Sequence, residues 1–489
     1  MKRDEAGLTS GEDVGLGGNS RLRWWILLLP LLVPILAGVW PEPLHPLNTA
    51  VYDHLLKVYP NGRPADRLLI VHLDERSLER YGHWPWPRHR VAELCERIAE
   101  AKPAVIGLDI FFAEAGDNDH NLAAALAKGP FILGNQFLFG PTSVRSTDPV
   151  GLRPLRVATL KSSKSGNLHA GLPEATGVLG NLPALTEKAG GYGFLNFSPD
   201  PGGMLRRLPL LIRFHGEIYP SLALAMALHL AETDQLLLRE EGGVLRSISF
   251  RGTTVPVDLH GQVLIRFRGP FPTYDSVSAA DLLERRVSPS RLRNRVVLVG
   301  TTAVGLESSL TTPYGPGLPG VEAHATLVDN LLTGDFLTIP AWASLVTLLL
   351  ALLFGGTTAW TVVHHGMFRG LAMASMLVVG ILLATGQAFA RAGWFVGPAL
   401  PMASVIACFV VLTVVRYSYA QHQAAAAVKK GEVRYRLLAD VSPVGIFRTD
   451  SEGRTVYVNP MWCRISGMSS DDALGDGWLE GVHPDDRER

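Results

Sequence analysis

The chain has 489 residues, 47% of them hydrophobic and 18% charged, with 45 basic residues balancing 45 acidic ones. That charged share is below the ~25% of average soluble proteins, and a mean hydropathy of +0.18 implies that apolar residues are concentrated in stretches. Zero net charge gives no footing for nucleic-acid binding, which wants a basic excess. Three scattered cysteines, Cys95, Cys408 and Cys463, exclude a disulfide framework and a zinc finger.

In chain order, a Gly-rich tail (1–23) leads into the first uncharged stretch, Trp24–Trp40, in which Pro30 and Pro34 predict a kink or a near-minimal span. No A-x-A site follows, and Pro41 comes directly after Trp40, so a signal anchor is expected rather than a cleavable peptide. Trp342–Val363, Leu371–Ala390 and Trp394–Val415 are the other uncharged stretches. Each is long enough as helix for a bilayer core of ~30 Å. Four transmembrane helices are predicted, without an Asp, Glu, Lys or Arg inside any of them, which speaks against a pump or channel. Lys2, Arg3, Arg21 and Arg23 precede the first span, Arg369 lies in a short loop, and Arg416, Lys429, Lys430, Arg434 and Arg436 follow the last. The positive-inside rule then puts both termini in the cytoplasm and residues 41–340 outside.

Within 41–340, Leu68–Leu73 is an apolar run of strand length ending at Asp74, and Glu75–Tyr81 reads as helix. His89–Ala101 carries Val91, Leu94, Cys95 and Ile98 at helical spacing, and Val105–Phe112 reads as a strand containing Asp109. A helix over Asn121–Ala127, strands over Phe131–Leu138 and Val296–Val299, and a helix over Gly320–Leu332 complete the pattern. Such alternation predicts an α/β fold, a parallel or mixed sheet with flanking helices. Ligands bind outside the carboxyl ends of such strands, near Asp74, Asp109 and the Gly300-Thr301-Thr302 turn, which could offer N–H groups to an anion.

Particular residues carry competing readings. Asp74 suits an N-cap as well as a ligand contact. Trp84-Pro85-Trp86-Pro87 is a stiff turn ahead of a helix, read as a structural cap or a ligand clamp. Asp109, inside an apolar strand, needs a partner, which Arg88, Arg206, Arg207 or Arg268 could supply. Asp117, Asn118 and Asp119 read as loop and N-cap rather than calcium ligands. Glu322 and His324, two apart on a helix, share no metal face, and His324 reads as structural or as a hydrogen-bond partner. No metal site is expected.

HLDERSL, GHWPWPR (Gly82–Arg88), VIGLDIFF, GGMLRRLPLLI, RFRGP, VVLVGTTA and PGVEAHATLVDNLL together resemble the type-two CHASE family of extracellular sensory domains over roughly residues 45–335. The resemblance implies a sensor of an undefined extracytoplasmic signal, followed by three membrane helices, acting as a homodimer in a bacterial inner membrane. Candidate sensing residues are Asp74, Trp84, Trp86, Arg88, Asp109, Arg207, Arg268, Thr301, Glu322 and His324.

Residues 416–433 read as a helical linker. Beyond them, SPVGIFRTDSEGRTVYVNP, WCRISGM, Asp472-Ala473-Leu474-Gly475 and the closing HPDDR are similar to the first half of a PAS domain over 434–489. A hairpin about Asp450–Gly453 and a helix opened by Asn459-Pro460 are expected, with Phe447, Asn459 and Trp462 as candidate ligand-facing residues. Cys463 lacks the flavin-adduct motif, and no cofactor is predicted, an unknown PAS ligand aside. No histidine-kinase, diguanylate-cyclase or phosphodiesterase motif occurs. The expectation is therefore a fragment or truncated frame of a sensory receptor, without catalysis of its own, partnered by the lipid bilayer and feeding a response regulator or a cyclic-nucleotide output. A membrane-tethered hydrolase and a non-catalytic scaffold are the alternatives.

Overall fold

A computed structural model of the chain describes residues 20–39, 44–60, 62, 64–140, 152–161, 171–241, 244–303, 305, 309–483 and 485. Most of the N-terminal tail, Trp40, Pro41 and most of the closing HPDDR lie outside the described residues. Two compact units result. One holds Pro34–Leu352 and Leu377–Ala403, the other Met1–Val33, Leu353–Met376 and Ser404–Arg489.

The larger unit is organised by period-two alternation. In Leu68–Leu73, Leu68 and Ile70 enter one core while Leu69, Val71 and Leu73 enter another. Val296–Thr301 divides in the same way. A strand apolar on both faces must be covered on both. Arg88–Glu100 and Asp119–Leu126 cover one face, and Leu222–Leu230 and Gly320–Thr333 the other. The strand order is Ser276–Ser278, Leu68–Leu73, Val296–Thr301, Val105–Leu108, Phe131–Leu138, all parallel. Phe131–Leu138 then pairs parallel with Gly191–Phe194 and antiparallel with Gly177–Leu179. The sheet is mixed, and the layered α/β fold follows the sequence pattern.

One glycine sets the approach of a covering helix. A Cβ on Gly300 would sit 2.6 Å from Val321 Cβ and 3.2 Å from Asp109 Cβ, so only glycine lets Gly320–Thr333 lie this close to the strand.

Several boundaries differ from expectation. The Val105 strand ends at Leu108, one residue before Asp109, although the Asp109 N–H still donates to Val299 O at 2.8 Å. Thr301 lies in its strand, and the Thr302 N–H donates to Leu73 O at 3.1 Å. This turn therefore spends its N–H groups on the sheet and does not form an anion nest. A four-stranded sheet, in the order Thr253–Pro256, Val244–Phe250, Gln235–Glu241, Arg156–Lys161, was not anticipated.

Three described helices are long and apolar enough to cross a bilayer: Ala343–His365, Met367–Ala392 and Ala399–Asp440. The first uncharged stretch is helical through both prolines (Ser20–Val39), but it reaches that standard only jointly with the following helix Leu44–Val58. Three spans thus qualify on their own where the sequence predicted four. The last begins at Ala399, not Trp394, because Thr338 holds the preceding segment extended. Its N–H donates to Gly393 O at 2.9 Å and its carbonyl accepts from the Phe395 N–H at 2.8 Å. No separate linker follows, since the helix runs unbroken through Gly431 to Asp440.

The helix Leu44–Val58 fastens the base of the domain to apolar helix ends. Tyr52 meets Phe389 and Phe395 edge-on at 5.9 and 5.3 Å, and Asn48 Oδ1 accepts from the Ala399 N–H at 3.0 Å. In the smaller unit, Val362, Cys408 and Leu412 pack together. The hairpin Phe447–Thr449/Thr455–Val458 forms as expected.

Candidate functional site

The carboxyl ends of Leu68–Leu73, Val296–Thr301 and Val105–Leu108 are neighbours in the sheet. Over the last two opens a cleft of about 450 Å³, whose lining includes Trp84, Trp86, Arg88, Asp109, Gln136 and Thr301. Five of the ten sensing candidates thus meet in one place. That volume is within the range of small-molecule sites.

Each side chain is set by its local structure. Trp86 is buried, and its indole N–H donates to Gly82 O at 3.0 Å. Trp84 is half-buried against it, with ring centroids 6.0 Å apart. The segment is therefore a structural cap at Trp86 and a cleft wall at Trp84. Arg88 opens its helix and is held by Asp119, with Nε 2.9 Å from Oδ1, and by Glu114 O, 2.8 Å from Nη2. Its guanidinium lies 4.6 Å from the Phe112 ring centroid. Asp119 also accepts from the Gly116 N–H at 2.8 Å, tying the loop, and Asn118 holds the N-cap position in a left-handed conformation without a side-chain cap bond.

The four arginines offered as partners of Asp109 have their described ion pairs elsewhere. Arg88 is engaged with Asp119, Arg206 with Asp53 and Asp200, Arg207 with Asp258, and Arg268 with Asp329 and Asp335. A described ionisable group beside Asp109 is His324, with Nε2 3.7 Å from Oδ1. Sequence separation hid this pair, because packing of the helix Gly320–Thr333 on the strand ends creates it. Burial pushes the His324 imidazole down to about 4, opposed only in part by the Leu195 carbonyl. The ring is therefore neutral near pH 7, and Phe197 packs on it at 4.8 Å between centroids.

Glu322, on the same helix, turns elsewhere. Its Oε1 accepts from the Thr273 N–H at 3.4 Å. Burial raises its carboxyl to about 7, with the Thr273 and Tyr274 N–H groups pulling back.

The remaining candidates do not line the cleft. Asp74 Oδ1 accepts from the Ser77 N–H (3.0 Å), the Ser77 hydroxyl (2.6 Å) and the Ser278 hydroxyl (2.8 Å), capping one helix and tying it to the edge strand. Arg207 and Arg268 line no part of the cleft. Asn459 is a buried hub in its own unit. Its Oδ1 accepts from the Ile446 and Trp462 N–H groups, and its Nδ2 donates to Ala439 O and Val444 O. Phe447 is exposed, and the Trp462 backbone packs against Gly445.

Gln136, Phe111, Leu195 and Phe197 also line the cleft and were not singled out in the sequence. Only Gln136, a polar residue inside the apolar strand FILGNQFL, gave a signal. Chemically the cleft offers aromatic faces, one guanidinium, one carboxylate, an amide and the Thr301 hydroxyl. These are recognition groups for a small polar molecule. Among the described residues, no group of three or more His, Cys, Asp or Glu side chains is placed to hold a metal.

Comparison with known families places this arrangement. Residues 27–357 match the CHASE2 domain. The chain belongs to the CHASE2 family. A second family, the PAS domain, matches residues 433–489 of this CHASE2 protein. The uncharacterized protein y4lL of Sinorhizobium fredii is 43% identical over 61 residues, 12% of this chain and 7% of that protein. The peroxide stress-activated histidine kinase mak1 of Schizosaccharomyces pombe is 34% identical over 67 residues, 14% of this chain and 4% of that kinase. The chain thus spans less than a tenth of the length of either curated relative. No solved structure matches it. A CHASE2 sensor domain, a PAS domain and three apolar helices together describe a membrane-associated signalling protein.

Proposed function

We propose that this CHASE2 protein is a transmembrane receptor of the bacterial inner membrane. Its cleft binds an extracytoplasmic signal, and the apolar helices pass the change to the PAS module and a catalytic output. One observation carries the reading. The helix Ala399–Asp440 is continuous from its apolar segment to the PAS hairpin, where Asn459 Nδ2 holds Ala439 O at 2.7 Å. Three crossings, an odd number, separate residues before Ala343 from those after Asp440, in accord with the basic residues that follow the last span. The chain itself supplies reception and transmission. A histidine kinase is the output favoured by the kinase relative, with a cyclic-nucleotide enzyme as the other possibility.

Homodimerisation is part of the proposal. Val433, Leu437, Val441 and Val444 are spaced four, four and three apart, and each is at least 51% exposed. Val433 and Leu437 share one face of the helix Ala399–Asp440, and Val441 and Val444 follow beyond its end, a run of exposed apolar side chains suited to a second copy.

The test fills the cleft. With the full chain in bilayer nanodiscs, Thr301→Trp should change hydrogen-exchange protection of Phe447–Val458 relative to wild type. Unchanged exchange there, with the sheet still protected, would sink the transmission reading. Turnover of ester, phosphate or glycoside substrates by wild type would favour a tethered hydrolase instead.

A further inference from the structure

A second cavity, of about 300 Å³, lies at the base of the larger unit and shares none of the cleft's lining. Its lining includes the charged residues Arg206, Arg207 and Asp200. It also includes the apolar residues Ile339, Ala343, Phe395 and Leu400.

Two features narrow what this cavity can hold. The first is its place. Ala343 begins one apolar helix and Leu400 lies in the first turn of another. Trp342 and Trp394, each about 40% exposed, meet edge-on at 5.4 Å beside these helix starts. Paired tryptophans at span ends mark the membrane–water interface.

The second is its donors. Arg206 is fully committed, with Nε and Nη2 on Asp53 and Nη1 on Asp200. Arg207 makes one described side-chain bond, Nη1 to Asp258 at 3.1 Å. Among the described residues its Nε–H and Nη2–H have no further acceptor, and these form the parallel fork that matches two oxygens of a phosphate. With Asp53 and Asp258 behind the lining, three carboxylates stand against two guanidiniums, so recognition rests on the directed fork and not on net charge, and a singly charged phosphodiester is repelled less than a dianion.

We propose that this cavity is a phospholipid site. Arg207 takes the phosphodiester through Nε and Nη2, and the wall of Ala343, Phe395 and Leu400 takes the upper acyl chain. The proposal rests on the reading that the apolar helices cross a bilayer. It adds a lipid input at the joint between sensor and membrane, separate from the cleft.

The full chain, purified in a neutral detergent, is titrated with phosphatidylglycerol and followed by native mass spectrometry. Diacylglycerol and inorganic phosphate serve as separate arms. Wild type should retain phosphatidylglycerol and neither control. Arg207→Gln should weaken retention about tenfold, as expected for a lost charge-assisted fork. Thr347→Phe, which fills the cavity and leaves Arg207 intact, should weaken it comparably. Equal retention by all three proteins overturns the proposal, as does retention of inorganic phosphate alone, which would make this an anion site without a lipid. Flotation with phosphatidylcholine vesicles tests the membrane reading separately. If all three proteins float while lipid retention is unchanged, only the lipid site fails. If wild type does not float, the membrane reading fails.

Discussion

Asp329 and Asn330, toward the carboxyl end of the helix Gly320–Thr333, are buried and fully engaged. Asp329 accepts from Arg268 Nε at 2.5 Å and from the Ala65 N–H at 2.7 Å. Asn330 brackets the Arg266 backbone, with Oδ1 2.9 Å from its N and Nδ2 3.1 Å from its O. Glu322 and His324, about two turns earlier, are buried as deeply but poorly served. Glu322 Oε2 and both His324 ring nitrogens make no hydrogen bond of ordinary geometry among the described residues, the weak pull of Leu195 on His324 aside. Native proteins satisfy nearly all buried polar groups, so one helix carries two kinds of work. Its base end is a locked joint, continuous through Arg266 with Asp335 (2.8 Å) and Phe389 O (3.3 Å). Its cleft end keeps groups whose protonation and bonding can respond.

The largest test of this contrast removes a satisfied group. Asp329→Ala removes one of the two carboxylates that pair with the buried Arg268, leaving Asp335, and also the acceptor of the Ala65 N–H; it should cost about 3 kcal/mol, read as a lower thermal midpoint of the full chain in detergent. Glu322→Gln should cost less than about 1 kcal/mol in the same melt at pH 8, where it replaces a buried charge by a neutral amide. Equal losses would erase the distinction.

Asn459 is the counterpart in the smaller unit. Asn459→Ala removes a helix cap and the bonds to Ala439 and Val444, and should lower local stability by roughly 2–3 kcal/mol. The check is faster hydrogen exchange at Thr455–Val458, with the sensor sheet unchanged.

The unsatisfied end should show itself through pH. Glu322 has a folded pKa raised from 4.5 to about 7, so its contribution is present below 4.5 and lost as pH rises to about 7. His324 has a folded pKa lowered from 6.5 to about 4, so its contribution is present above 6.5 and lost as pH falls to about 4. Between roughly pH 4.5 and 6.5 the two slopes oppose one another, each worth on the order of 1–3 kcal/mol. Thermal midpoints of Glu322→Gln should therefore climb with pH across this window, and those of His324→Gln should fall. Parallel profiles for the two variants would show that these groups do not titrate as described.

The smallest effect belongs to the surface. Arg80 pairs with Glu284 at 2.8 Å, but its side chain is 65% exposed. Arg80→Ala should shift stability by less than about 0.5 kcal/mol, and a larger loss would mean that exposed pairs rival the buried joint.

Much of this was legible in the sequence. The strands Leu68–Leu73 and Phe131–Leu138 and the helix Glu75–Tyr81 appear where composition and period put them, because burial on both faces leaves continuous apolar runs. Asp74 was legible as a cap because capping is local. The engagement of Asp109 with His324 was not, since those residues meet only through packing of distant segments. The sheet around Gln235–Glu241 was missed although Leu236, Leu238 and Glu240 alternate inward along it. The helix Leu44–Val58 was missed because Pro46 masks its amphipathic spacing. It supplies Asn48 and Tyr52 to the joint.

The helix Ala399–Asp440 has 42 residues, about 63 Å at the α-helical rise, more than twice the thickness of a bilayer core. An unbroken rod of that length fixes angular phase as well as distance. Each residue inserted between Gln423 and Lys429 would turn everything beyond it by about 100°. Seven added residues would bring it back to within about 20°. On the proposed transmission, output measured along such an insertion series would oscillate with helical period, and the set point would be written in the length of the alanine run.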